Sequence, residues 1–397
     1  MVRASPYPRL YYELISVGFS LILAMGLSSA FLPLLSWELD PTGVLVGFVT
    51  SAWFLARIFT ELPSGFLSDR VGRRRLVLFG LALSVAGTIA CATSRSIYQL
   101  ILGRALWGLG AAFYFTNNTA LMFDMFQPDR RGKAVGTLQS IEFIGSFIGA
   151  PIGAIVATWF GYYSVFYVAS AMTALSLSIA FSSKGLRRLG GAPSEGRTAI
   201  STGEAIRGLR NWGLIVVCSV VVSRMLVIQG VMSTVFQLYL NQVLLYDVAT
   251  IGLIMTIRTA GFCVTAFLSG RMVDRLGVKP VISMGLLVEG VFLALYSATG
   301  SMTVIAAIGL LEGMGGGMIS VTMIVLLSRV VTPRMRGTAI GLYRTFMDLG
   351  GILGPIVFTF LYDFVGKATP FLVSSVLLIA NVAPVISVRQ RHMLEAG

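Results

Sequence analysis

The chain has 397 residues, 56% of them hydrophobic and 12% charged, about half the ~25% charged share of a soluble globular protein. A chain this apolar cannot cover itself with polar surface in water, so its solvent is lipid. That excludes a cytosolic enzyme, a disordered scaffold and a secreted disulfide module, and Cys91, Cys218 and Cys263, each set in an apolar run, supply no disulfide framework.

A membrane-crossing helix needs about 20 apolar residues. Runs of that length fall at 11–35, 42–67, 76–93, 97–123, 134–160 and 161–182, then at 211–240, 248–270, 280–299, 302–330, 338–361 and 370–388. The expected fold is an all-α membrane protein of twelve transmembrane helices in two six-helix halves, 1–182 and 211–397. The polar stretch 183–210, with Gly190, Gly191 and Pro193, reads as a flexible linker. The short alternating segments of a membrane β-barrel are absent. The first run follows Arg3 and Arg9 and passes Ser28-Ser29-Ala30, as a signal peptide would, but it is too long and eleven more runs follow.

Placing both termini in the cytoplasm gives the inner segments 22 Lys and Arg, against Arg95 and Lys367 alone outside. That bias orients the chain. It also accounts for the net charge of +13 through topology and lipid headgroup contact, with no nucleic acid partner.

The halves repeat at a single offset of 205 residues. Gly65, Asp69, Arg70 and Gly72 map onto Gly270, Asp274, Arg275 and Gly277, while Pro128, Arg131, Gly132 and Gly136 map onto Pro333, Arg336, Gly337 and Gly341. Gly108, Gly110, Gly145 and Gly149 map onto Gly313, Gly315, Gly350 and Gly354. Two parallel halves around a midplane site are the architecture of an alternating-access transporter.

On these residues the chain resembles the major facilitator superfamily. The loop from Gly65 through Asp69, Arg70 and Gly72 to Arg73-Arg74-Arg75 is a full match to that family's signature between the second and third helices, and Gly270 to Lys279 is a partial copy. Leu102-Gly103-Arg104 through Gly108 and Gly110 looks like its fourth-helix motif. Gly145, Gly149, Ala150, Pro151 and Gly153 are similar to the fifth-helix motif of drug/proton exporters, with one extra residue between glycine and proline, and Gly350 to Pro355 is closer to that pattern. The sugar-porter run after the sixth helix is absent.

The resemblance implies roles. Asp69 and Arg73 pair with Asp124 at the inner end of the fourth helix and, with Arg70 and the copies Asp274 and Arg275, form an inner gate. The plainer alternative makes these arginines topology markers. The glycines of the fifth and eleventh helices form a smooth strip for packing or sliding. Since the second and eleventh helices face each other in the family, and depth matches at ~1.5 Å per residue, Glu61–Arg344 and Arg57–Asp348 form cross-half pairs, or Arg344 and Asp348 pair along their own helix. Arg104, Asn117, Asn118, Arg224, Gln229 and Glu312 then face substrate in a central cavity. Depth separates Arg104 from Glu142.

Coupling to protons needs a group that titrates, which arginine does not. His392 sits in the tail. Asp348, Glu142 and Glu312 are the candidate proton-coupling carboxylates, and Glu289, on a helix the family keeps peripheral, reads as structural. The first helix carries no acid between residues 14 and 35, unlike many drug/proton exporters. No metal-ligand spacing, cofactor loop or nucleophile arrangement is present. The reading is a secondary transporter, not an enzyme, exporting small amphipathic or drug-like molecules against protons, working as a monomer among membrane lipids. An organic-anion carrier of the same fold and a non-transporting receptor or scaffold are the alternatives.

Overall fold

In the computed structural model the described residues are 8–28, 31–126, 128–189, 211–331 and 336–388, and a few side chains near 62–69, 123–140 and 332–338 also stand outside the description. The first half runs α1 (Arg9–Ser28), α2 (Leu32–Leu39), α3 (Gly43–Val71), α4 (Arg73–Ala92), α5 (Ile97–Met125), α6 (Pro128–Phe160), α7 (Tyr162–Ser182) and α8 (Lys184–Leu189). The second half runs α9 (Trp212–Gln242), α10 (Val248–Leu276), α11 (Val278–Ala298), α12 (Met302–Val330), α13 (Arg336–Phe360, extended over Leu361–Val365) and α14 (Thr369–Ser387). Among the described residues ten helices are long and apolar enough to cross a membrane, and α5 and α6, of 29 and 33 residues, are two further long helices. The chain is a multi-pass, all-helical membrane protein.

It divides into two compact units, Met1–Arg197 with Asp247–Gly252, and Thr198–Tyr246 with Leu253–Gly397. The offset of 205 reappears in helix ends. Gly43–Val71 recurs as Val248–Leu276, and Ile97–Met125 as Met302–Val330. Each half stops its second long helix at a glycine in the left-handed region, Gly72 at φ 91° and Gly277 at φ 87°. A side chain there is strained, so the turn requires glycine.

Four details depart from uninterrupted spans. In the first run Phe31 is a non-helical turn residue, and α2 starts after it with Pro33 in its first turn, where a missing N–H costs nothing. Within α9, Leu226–Val235 is wound as a π-helix, and the Thr234 hydroxyl donates to the Gln229 carbonyl at 2.8 Å. Leu361–Val365 is π-wound as well, and α14 is interrupted at Asn381. The segment expected to begin a linker at 183 starts as α8, held to α1 by the Ser183 hydroxyl on Glu13 and by Leu10 against Gly185. Residues 190–210 and His392 lie outside the described residues.

The apolar surface left for lipid includes Phe59, Leu102, Trp159, Phe160, Phe267 and Val376, all more than half exposed. Asp247 starts α10, accepting the Thr250 N–H at 3.1 Å, and hydrogen bonds from Thr250 hold its carboxyl below the usual range. Asp247→Ala is expected to lower stability by about 1 kcal/mol, measured by thermal unfolding at neutral pH. A depressed carboxyl stabilises only while ionised, so the difference should vanish as pH falls through its titration.

Candidate functional site

In the first half the informative polar groups gather where α1, α5 and α6 meet. Gly18 leaves a notch on α1, and a methyl built there would stand 2.6 Å from Glu142 Oε1 and 3.2 Å from Tyr114 Oη. Tyr114 is fully buried and donates to the Leu14 carbonyl at 3.3 Å, while the Asn118 amide donates to the Tyr114 hydroxyl at 2.9 Å. A carboxylate, a phenol and an amide are thus brought to one point. The α1 helix carries no acid here, so α6 lays one across it.

Asn117, one residue along, donates to Ser64 Oγ at 3.0 Å and to the Phe113 carbonyl at 2.8 Å. Neither Asn117 nor Asn118 has a donor for its Oδ1 among the described residues, so each keeps an acceptor to offer. Arg104 is different. Its guanidinium is buried over the Trp107 ring, 5.2 Å from the centroid, beside the Cys91 thiol, with no hydrogen-bond or ion-pair acceptor among the described residues.

The motif glycines of α6 meet the backbone of α1. A methyl on Gly149 would lie 2.7 Å from the Leu23 carbonyl oxygen, one on Gly145 2.9 Å from the Phe19 carbonyl oxygen, and one on Gly153 would collide with the Leu27 carbonyl. The second half repeats this, with Gly350 against the Val222 carbonyl at 2.7 Å and Gly230 in the π-wound stretch against the Gly354 carbonyl. These glycines let helices touch along their backbones.

The second half also holds a charge cluster. Arg224 on α9 pairs with Glu289 on α11, Nε to Oε2 at 3.2 Å, and donates to Ser320 Oγ and the Gly316 carbonyl of α12, both at 2.7 Å. Arg258 on α10 grips Glu312 on α12 with both arms, Nη2 to Oε1 at 2.9 Å and Nε to Oε2. Both carboxylates are fully buried. The two pairs also feel one another's charge. Four charges summing to zero tie four helices together. Arg224 and Glu312, expected to face substrate, are therefore engaged inside their own half, and Glu289, read from sequence as structural, is a member of the cluster. Gln229 sits in the π-wound stretch.

Of the gating candidates, Arg73 is buried, makes an ion pair with Asp124 and donates to the Ala120 carbonyl at 3.2 Å. That is the pairing the resemblance implied. The Asp69 side chain lies outside the described residues. Arg70, Asp274 and Arg275 are exposed. Arg57 and Glu61, each given a partner in the other half by the sequence reading, pair with one another one turn apart at 2.7 Å, with Arg57 stacked over Trp53 at 4.7 Å. Arg344 has no ion-pair partner among the described residues, so the pairing with Asp348 along α13 is not formed. Asp348 is buried. Among the described residues no cluster of His, Cys, Asp and Glu would hold a metal ion.

Helices built as a repeat, packed through glycine strips and enclosing charged groups, define a membrane carrier. The family model described as Major Facilitator Superfamily matches residues 14–244 and 217–393, and the chain belongs to that family. It is a transporter, not an enzyme. An uncharacterized transporter of Buchnera aphidicola subsp. Schizaphis graminum (strain Sg) is 31% identical over 140 residues, 34% of this chain and 34% of that protein, so this match spans about a third of either. Multidrug resistance protein MdtG of Klebsiella pneumoniae (strain 342) is 26% identical over 368 residues, 90% of this chain and 88% of that protein. The nucleoside transporter NupG shares the fold at a TM-score of 0.75 with 14% identity, over 96% of this chain and 100% of that one.

Proposed function

We propose that this protein exports small amphipathic molecules in exchange for protons, by alternating access of its two halves. The observation that carries the reading is Glu142 seated on Gly18 against Tyr114, a partly buried carboxylate where α1, α5 and α6 meet. A carboxylate is a group that can carry a proton across such a site, which no arginine can do. The likeness to MdtG over nearly the whole length supports the drug-like cargo. The cycle runs as proton release toward the cytoplasm, substrate binding, and closure of an inner gate for which Arg73 and Asp124, with Asp69, Arg70, Asp274 and Arg275, are the candidates. Arg57, Glu61, Arg344 and Asp348 are further gating candidates, and reprotonation from outside displaces the substrate.

In this reading Asp348 and Glu312 are the further candidates for coupling, and Asn117, Asn118, Gln229 and Arg224 for cargo contact. The protein resides in the cell membrane with both termini cytoplasmic, as a monomer in contact with lipid headgroups and without nucleic acid. A second reading rests on Arg104. A buried guanidinium with no acceptor is costly in a membrane, and an anionic group on the cargo would compensate it. Proteoliposomes loaded with tetraphenylphosphonium or with benzoate separate the two. Under an imposed pH gradient the cation is expected to move, and Glu142→Gln to stop it. Movement of benzoate alone, lost in Arg104→Ala, would replace the first reading with the second.

A further inference from the structure

The two buried carboxylates of the second-half cluster are not held alike. Glu312 accepts from Arg258 on both oxygens. Glu289 accepts from Arg224 on Oε2 only, and its Oε1 has no hydrogen-bond donor among the described residues although the side chain is fully buried. An unsatisfied oxygen in such a place is a large penalty for the ionised form, because a buried polar atom without a partner forfeits its hydration with nothing in return. A proton on Glu289 removes that penalty. A proton on Glu312 would forfeit one arm of a two-armed pair.

Arg224 can give up Glu289. Two of its nitrogens are already engaged by Ser320 and the Gly316 carbonyl of α12. It also occupies the α-helical turn of α9 directly before the π-wound Leu226–Val235, a kind of helix defect frequent at functional sites. Arg224 and Arg258 keep 11% and 15% of their side-chain surface accessible, while both carboxylates keep 0%. Arg224 is the charged partner of Glu289 and keeps some accessible surface, whereas Glu289 keeps none.

Other titratable groups around Glu289 are few. They are Arg224 from α9, Arg258 from α10, Glu312 from α12 and Tyr296 at the end of α11. The stretches Thr369–Ala380 and Val382–Ser387 of α14 contain none. The repeat offers no copy of this device. At the offset of 205, Arg224, Arg258, Glu289 and Glu312 correspond to Phe19, Trp53, Ser84 and Trp107.

We infer that Glu289 is a proton-binding group of the transport cycle, and that its charge state sets whether Arg224 ties α9 to α11. Protonation transfers one proton from water to the Glu289 carboxylate and breaks the Arg224–Glu289 pair, leaving Arg224 on α12 alone. The π-wound stretch, which packs through Gly230 on the Gly354 carbonyl, is then free to shift against α13. The inference rests on the proton-coupled reading above and adds a second titrating site, in the other half from Glu142.

Infrared difference spectra of the purified full-length protein, taken between neutral and acidic pH, test the site without a ligand. The carbonyl band of a newly protonated carboxylic acid is expected to disappear in Glu289→Gln, to persist in Glu312→Gln and to change position in Glu289→Asp. A spectrum in which Glu289→Gln and Glu289→Asp both keep the original band overturns the inference. In proteoliposomes, Glu289→Gln should reduce pH-driven tetraphenylphosphonium accumulation to that of protein-free vesicles while its counterflow exchange continues, and Glu289→Asp should restore part of the driven uptake. Loss of driven uptake and counterflow together in both variants would mark a structural role and overturn it too. If the unaltered protein moves no tetraphenylphosphonium, the cation-export reading fails on its own, and the infrared bands still decide Glu289.

Discussion

Glu312→Leu is expected to destabilise the second half by about 3–5 kcal/mol, because it leaves Arg258 charged, largely enclosed and without its carboxylate. Arginine does not escape by losing its proton. The double variant Arg258→Met with Glu312→Leu should recover most of that loss, since an apolar pair of similar volume needs no compensation. Thermal unfolding of the four proteins in detergent gives the coupling between the two sites directly. Additive losses in the double variant would show that Arg258 and Glu312 do not rely on one another. The corresponding cycle on Arg224 and Glu289 should give a smaller coupling, because Arg224 retains Ser320 and the Gly316 carbonyl when Glu289 is gone.

That contrast bears on function. A pair gripped by both arms has more to lose on opening than a one-armed pair whose arginine already holds other acceptors. The cluster thus combines a two-armed pair with a one-armed pair, and the one-armed pair adjoins the π-wound stretch of α9. At the offset of 205 the four positions are Phe19, Trp53, Ser84 and Trp107, so under the inferred role of Glu289 this device belongs to the second half although the helices repeat.

Most of the fold was legible because membrane helices advertise themselves through length, apolarity and flanking charge. The offset of 205, read from glycines and Asp-Arg loops, recurs in helix ends and in the paired left-handed glycines 72 and 277. The broken first span was not legible: Ser28-Ser29-Ala30 continues the apolar run, and only Pro33 hints at a restart. The π-wound stretch of α9 leaves no mark in a pattern that is apolar on every side.

The site was legible in part. Arg73 with Asp124 followed from the resemblance, but the second-half pairs were missed for want of one step. Arg224 and Glu289 stand 12 and 11 residues from the starts of α9 and α11, and Arg258 and Glu312 each stand 18 residues from the ends of α10 and α12. Equal depth within one half identifies both pairs, and the sequence reading applied that count only across the halves and to Arg104 with Glu142. The seat of Glu142 was harder to see. A glycine on α1 gives no sign that a carboxylate from α6 fills its place.

The glycines allow the second large prediction, which separates packing from gating. Gly149→Val and Gly354→Val are each expected to prevent accumulation of folded protein, since the new side chain meets backbone rather than a yielding side chain. At Gly149 the first added carbon would stand 2.7 Å from the Leu23 carbonyl oxygen and 2.9 Å from Gly26, and at Gly354 it would stand 2.9 Å from Leu226 Cα. Overpacking of a core typically costs about 1–3 kcal/mol, and a collision with a helix backbone relaxes less readily than that. Gly270 and Gly341 provide the control. They belong to the same repeat, at the positions of Gly65 and Gly136, yet a methyl on either meets nothing within 4 Å. Gly270→Ala and Gly341→Ala should unfold at the parent temperature. If Gly270→Ala nonetheless loses transport, its glycine serves movement of the loop near Asp274 rather than packing. If it transports as the parent does, the glycine of the second copy of the signature is a remnant of the repeat and serves neither packing nor movement.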